Sequence, residues 1–344
     1  MKNTTVNIMK KSSFAVLFAA VLLLVGAQSA QALTITPIRL EVAGDPGQIL
    51  SEEMTLINER STPETYYSSY SNFVTQGETG SPAFVDAKDD LGTWMSAPDT
   101  ITLAPGQSKI VPITITIPKS AEPGGHFAAV FWGTQSPKDV KNAVSIGSKT
   151  GILILLRVNG AVNEDGGILE FNTVNAQRFY TALPVNFFYR FQNSGGDRIK
   201  PVGDVTIKNM IWLTSAKVPG NPVEGNILPS STRKFETVWQ GGSGPTPLAA
   251  ADQGNFLNKV SYEWRNFGFG HYKADISLSY GVKNQVSTGS VGFWVIPWHL
   301  MIFVVIVAIL IFFIARKLIR RYNKWVIKMA EAAIKKEEQK EGQQ

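Results

Sequence analysis

The chain has 344 residues, no cysteine and a formal net charge of +6. With 44% hydrophobic and 17% charged residues it is not a disordered chain, and without thiols it has no disulfides, thiolate metal sites or cysteine nucleophiles. The positive excess sits at the two ends, around Lys2, Lys10 and Lys11 and from Arg316 onward. The near-neutral body therefore lacks the basic folded surface of a nucleic-acid binder.

The N-terminus reads as a secretory signal. Lys10-Lys11 give a basic start, Phe14 to Val25 is almost unbroken apolar sequence, and Ala30-Gln31-Ala32 fits a small-x-small cleavage site. Residues 1–32 are expected to be removed, leaving Leu33 as the first residue.

Residues 33–292 are poor in helical periodicity and rich in short β-branched runs. Ile110 to Ile117 alternates as a half-buried strand should, and Pro112 places that strand near an edge or at a bulge. Turn signals recur, among them Asp45-Pro46-Gly47, Ala104-Pro105-Gly106, Asn159-Gly160 and Ser194-Gly195-Gly196. Short strands with such punctuation predict an all-β body of two immunoglobulin-like β-sandwiches, 33–162 and 163–292. Gly241 to Ala251 is a Gly/Pro-rich surface loop inside the second.

Three signatures recur in the same order in both halves. Leu56-Ile57-Asn58 is echoed by Phe191-Gln192-Asn193, and Leu103-Ala104-Pro105 by Ile227-Leu228-Pro229. Gly125-His126-Phe127 is echoed by Gly270-His271-Tyr272. An Asn before a turn bonds its own backbone readily, which gives the first signature a physical meaning.

From Ile35-Thr36-Pro37 through Pro46-Gly47-Gln48, Thr75-Gln76-Gly77-Glu78, Trp94 and Leu103–Ser108 to Gly124-Gly125-His126-Phe127, about residues 33–135, the first half resembles a known domain. It is similar to the N-terminal, peptidoglycan-binding-type domain of the WxL-interacting bacterial surface proteins, and more distantly to the immunoglobulin-like domain of pilus chaperones. The resemblance implies binding at the cell wall. The chaperone likeness implies an Arg on the first strand that grips a client's terminal carboxylate, a place Arg39 would take.

The search for chemistry finds little. His126 and His271 are expected to fill structural niches beside Phe127 and Tyr272 rather than to share a metal, and no cofactor is expected. Asp86, Asp89 and Asp90 read as a solvated acidic loop or a weak calcium site lacking the spaced ligand loop. Tyr66 and Tyr70 on one strand face, and the Gly-spaced pair Phe267 and Phe269, are either sandwich core or a surface for a partner.

The C-terminal segment 293–315 is nearly all apolar and predicts a transmembrane helix. Trp294, Trp298 and His299 are assigned to its outer interface, and Pro297 to its first turn. Arg316, Lys317, Arg320 and Arg321 follow at once and place the tail on the cytoplasmic side. In the tail, 316–344, the face Leu318, Tyr322, Trp325, Met329 and Ala333 predicts a basic amphipathic helix resting on the inner leaflet.

Together these readings predict a single-pass plasma-membrane protein with its body outside. It presents two β-sandwiches to cell-wall polymer or to an envelope protein partner. The alternative is an immunoglobulin-like assembly chaperone or accessory subunit lending a free sheet edge to a client strand. An enzyme acting on envelope glycan ranks last, because no spacing sets two carboxylates across a cleft.

Overall fold

The computed structural model describes residues 32–136, 149–240 and 254–341, with side chains through residue 331. The signal segment before Ala32, the Gly241–Ala251 loop and the side chain of Ala333 lie outside the described residues. The chain divides into two compact units. One runs to Val74 and from Pro82 to Val162, and the other takes Thr75–Ser81 and the chain from Asn163.

The first unit is a β-sandwich. One sheet has the order β1 (Leu33–Thr36), β3 (Ile49–Asn58), β8 (Ser108–Thr116), β6 (Met95–Ser96). The other has β2 (Arg39–Gly44), β10 (Lys149–Val158), β9 (Gly124–Gly133), β4 (Glu64–Gln76) and β5 (Ser81–Asp86). β7 (Thr100–Leu103) pairs with the start of β4. A one-turn helix, α1 (Leu91–Trp94), precedes β6. Alternation builds the core: Val111, Ile113 and Ile115 of β8 point inward against Ala128, Val130 and Trp132 of β9 and Ile152, Ile154 and Leu156 of β10. Pro112 lies opposite Glu53, where β6 does not reach, so its missing N–H faces an open edge as the sequence predicts.

The chain enters this sandwich in two steps. β1 pairs antiparallel with β3 in one sheet, Pro37 and Ile38 cross over, and β2 pairs parallel with β10 in the other. The second unit repeats the plan. β11 (Gly166–Thr173) pairs with β13 (Val185–Asn193), a 3₁₀ turn at Val174–Ala176 follows, and β12 (Phe179–Tyr180) pairs parallel with β18 (Gln285–Val295). Its sheets are β11-β13-β16 (Ser231–Trp239) and β12-β18-β17 (Gly270–Tyr280)-β14 (Val202–Asn209)-β15 (Thr214–Pro219). The core is aromatic: Phe187, Tyr272 and Trp239 meet Phe293, and Tyr189 stacks on Phe235. Within this unit Glu78, on Thr75–Ser81, takes two bonds from the Arg190 guanidinium.

The echoed asparagines do the same work in each unit. Asn58 Nδ2 donates to the carbonyls of Thr62, Leu103 and Ala104, and its Oδ1 accepts from Arg60 N. Asn193 Nδ2 donates to the carbonyls of Asp197 and Ile227, and its Oδ1 accepts from Gly195 N. Each fully buried side chain ties a strand end to its own turn and to the second signature of the repeat.

Two features differ from the sequence expectation. The body carries a helix, α2 (Phe256–Arg265), whose inner face presents Val260 and Glu263. The apolar stretch from Phe293 is two elements rather than one helix. Phe293 and Val295 are buried core positions of β18, and the helix α3 runs from Trp298 to Glu341. A hydropathy window averages over that strand's alternation and cannot separate it from the helix behind it. Met301 N donates to Pro297 O, so the proline does stand at the helix start. α3 is long and apolar enough to cross a membrane, and from Trp298 to the first cation, Arg316, its apolar part measures about 27 Å.

Candidate functional site

No group of three or more His, Asp or Glu that could hold a metal occurs among the described residues. The acidic loop does not converge. Asp86 faces Lys88, while Asp90 turns to His126, its Oδ1 2.5 Å from Nδ1. His126 Nε2 lies 2.9 Å from the Glu122 carbonyl, and the ring rests on Trp94. Burial alone would lower the His126 pKa, but the bonds to Asp90 and Glu122 outweigh it and hold the pKa above the ordinary imidazole value. Phe127 is not its neighbour, because consecutive strand residues face opposite sides. For the same reason His271 meets Trp294, directly across from it on β18, and not Tyr272, which points into the core.

The aromatic candidates part company. Tyr66 is core: its hydroxyl donates to Asn58 Oδ1 at 2.9 Å, and burial raises its pKa. Tyr70 is half-buried, its hydroxyl accepting from Ala97 N. Phe267 and Phe269 are exposed, on the segment between α2 and β17.

At the membrane-side candidates, Trp294 stands on the outer face of β18 and Trp298 opens α3. His299 is buried: its Nδ1 lies 2.6 Å from Glu263 Oε1. Glu263 Oε2 also accepts from Leu300 N at 2.7 Å. One buried carboxylate thus caps the start of α3 and fastens α2 to it. Sequence reasoning missed Glu263; an acid three residues after Val260 in a short mixed segment carries no distinctive signal. Arg316, Lys317, Arg320 and Arg321 all sit on α3 and are exposed.

A further candidate is a strand edge. β2 closes one side of β10 only from Leu153 to Val158, through the register Leu153↔Arg39 to Val158↔Gly44. Lys149 to Ile152 pair with β9 alone among the described residues. Leu153 N donates to Ile38 O, so Leu153 turns its backbone toward β2. Alternation then turns the N–H and C=O of Lys149 and Gly151 toward the same, open side. Gly151 is bare for a local reason: a Cβ there would meet Val130 O at 2.5 Å and the Phe131 ring at 2.6 Å. Ile38 stands at the mouth of the notch, 82% exposed. Arg39 is beside it, but its Nε pairs with Glu41 at 2.9 Å, so the guanidinium already holds a carboxylate.

No family model matches the chain, and no curated protein matches it. Among solved structures it is similar to the class 5 fimbriae chaperone CfaA, at 16% identity and a TM-score of 0.37, covering 77% of this chain and 100% of that one. It is also similar to the E. coli chaperone DraB, at 14% identity and 0.33, covering 77% and 95%. A third is the Pseudomonas aeruginosa chaperone CupB2, at 8% identity and 0.34, covering 76% and 100%. Fimbrial chaperones are thus among the neighbours. At these scores the likeness carries no argument about function, and the architecture rests on the strand pairing described above.

Proposed function

We propose that the chain is a membrane-anchored envelope protein whose first unit binds a protein partner by strand addition to the open half of β10. It acts as a binding or accessory module and not as an enzyme. The observation that carries the reading is the side of Lys149–Ile152 that is unpaired among the described residues, beside a strand, β2, that starts only at Leu153's partner. An extended segment laid there meets the N–H and C=O groups of Lys149 and Gly151, unpaired among the described residues, and the exposed Ile38 side chain, the ingredients of β-augmentation. The Arg39–Glu41 pair argues against anchoring a terminal carboxylate, so an internal segment of the partner fits better. The anchor is α3, with its cationic cluster inside and both sandwiches outside.

The test compares Lys149→Pro with Lys149→Ala in the full chain. Proline removes the N–H that faces the open side and leaves the β9 side untouched. A protein partner co-purifying from native membranes is expected with the parent and with Lys149→Ala, and lost with Lys149→Pro at an unchanged melting temperature. Retention of the partner by Lys149→Pro would refute strand addition at β10, and recovery of wall polymer with no protein would return the function to wall binding. Protease applied outside the membrane should degrade the body and spare the tail after Arg316; a protected body would refute the anchor.

A further inference from the structure

The loop joining β14 and β15 does not look like an ordinary exposed turn. Met210, Ile211, Trp212 and Leu213 are large, apolar and consecutive, at 63%, 66%, 70% and 60% exposure. Hairpin tips favour Gly, Asn and Asp, and a run of four exposed apolar residues works against solubility unless something covers it. The tip is firmly built. Asn209 Oδ1 accepts from Ile211 N at 3.1 Å and Leu213 N at 3.0 Å, while Asn209 N donates to Leu213 O at 2.9 Å. Trp212 is held at φ 63°, a left-handed conformation that bulky residues rarely adopt.

Strand register places the tip. Asn209 lies opposite Tyr272, and Tyr272 opposite Phe293. The tip therefore stands at the end of the sheet where β18 runs through Ile296 and Pro297 into α3. A Cβ on Gly270 would meet Met210 Sδ at 3.3 Å, which fixes the tip beside the start of β17. Phe267 and Phe269, 57% and 54% exposed, belong to the segment that leads into Gly270, at the same end. Neither 210–213 nor 267–272 contains an Asp or Glu.

We infer that this end of the second unit is a lipid-docking surface. Met210, Ile211, Trp212, Leu213, Phe267 and Phe269 insert into the headgroup–acyl boundary of the outer leaflet around the point where α3 enters it. The inference rests on the reading of α3 as a membrane crossing. Continuity with that crossing selects lipid as the occupant: Trp294 and Trp298 flank the entry, and the rim has the aromatic and aliphatic character of interfacial segments.

The absence of cysteine makes the test clean, since each new thiol is the only one to label. Trp212→Cys, Leu213→Cys, Phe267→Cys, Val282→Cys and Ile309→Cys are spin-labelled singly in the full chain and reconstituted into phosphatidylcholine vesicles. Val282 follows β17 at the end away from Gly270 and serves as the aqueous reference; Ile309 lies in the apolar part of α3. Labels at 212, 213 and 267 are expected to be about fivefold less accessible than that at 282 to a water-soluble nickel chelate, while 309 is accessible to oxygen alone. Chelate access at 212, 213 and 267 equal to that at 282, with 309 still shielded, overturns the docking surface and leaves the crossing intact. Chelate access at 309 overturns the crossing and the docking surface with it. Shielding at 212 accompanied by dipolar broadening that vanishes on dilution with unlabelled chain would assign the patch to a second copy and overturn lipid docking.

Discussion

Replacing Asn58 by alanine tests how the first sandwich is held together. The side chain is fully buried and makes three donations and two acceptances. Two of its partners, the Leu103 carbonyl and the Tyr66 hydroxyl, are themselves buried and gain no water when the amide is removed. A buried polar group left without a partner costs about 1–3 kcal/mol, so Asn58→Ala should cost about 3–4 kcal/mol. With a urea dependence of ~1.5 kcal/mol/M, the unfolding midpoint of this unit falls by about 2 M. Pulse proteolysis of the full chain in detergent across a urea series, with peptides of the first unit quantified by mass spectrometry, reads that midpoint separately. Tyr66→Phe supplies the control. Alone it should cost about 1 kcal/mol; combined with Asn58→Ala it should be neutral or stabilising, because it then removes a hydroxyl that has no partner. A midpoint shift below about 0.5 M, or an equal cost for Tyr66→Phe in both backgrounds, would refute the reasoning.

The same logic makes Asn193→Ala destabilise the second unit by about 2–3 kcal/mol while the first unit's midpoint stays put, read in the same proteolysis series. Because the folded-state pKa of His126 is raised, its pair with Asp90 stabilises the first unit fully below the unfolded value near 6.5, and that contribution is lost as pH rises through the folded-state pKa. The unit should therefore melt lower at pH 8.5 than at pH 6, and a His126→Gln chain should lose that difference; an unchanged pH dependence would disprove it. Glu263→Ala leaves Leu300 N and His299 Nδ1 without their acceptor and should speed hydrogen exchange across Phe256–Arg265 by at least about tenfold, with β17 unaffected.

What was legible in the sequence was local. Asn58 and Asn193 stood out because each precedes a turn whose backbone its amide can bond, in a signature that recurs in both halves; the bonds to the later turn are the structure's addition. Pro112 announced an edge or a bulge because it lacks an N–H, and the structure selects the edge. What was illegible depended on partners far away in the chain. Tyr66 reads equally as core and as surface until Asn58 takes its hydroxyl. Lys149 and Gly151 carry no mark of an open edge, since that depends on where β2 begins, more than a hundred residues earlier. Phe293 and Val295 differ from the helix behind them only in which face they bury, and the partner of His299 could not be read because Glu263 lies in an unexpected helix. The tip at Met210–Leu213 did carry a local signal: four apolar residues where a polar turn belonged.

The junction between the second sandwich and α3 has a mechanical consequence. Only Ile296 and Pro297 separate β18 from the helix; Ile296 N is bonded to Tyr180 O, and Trp298 N to Ile296 O. Glu263 then pins the first turn of the helix from the side. The connection leaves little slack: two residues, two backbone bonds and a buried carboxylate join the strand to the helix. A tilt of the helix is then a tilt of the sandwich it continues from, and a sideways pull on the sandwich becomes a torque on the rod. Were α3 to cross a bilayer as proposed, the second unit would be mounted on it at one height and one attitude, more like a bracket than a flag on a string.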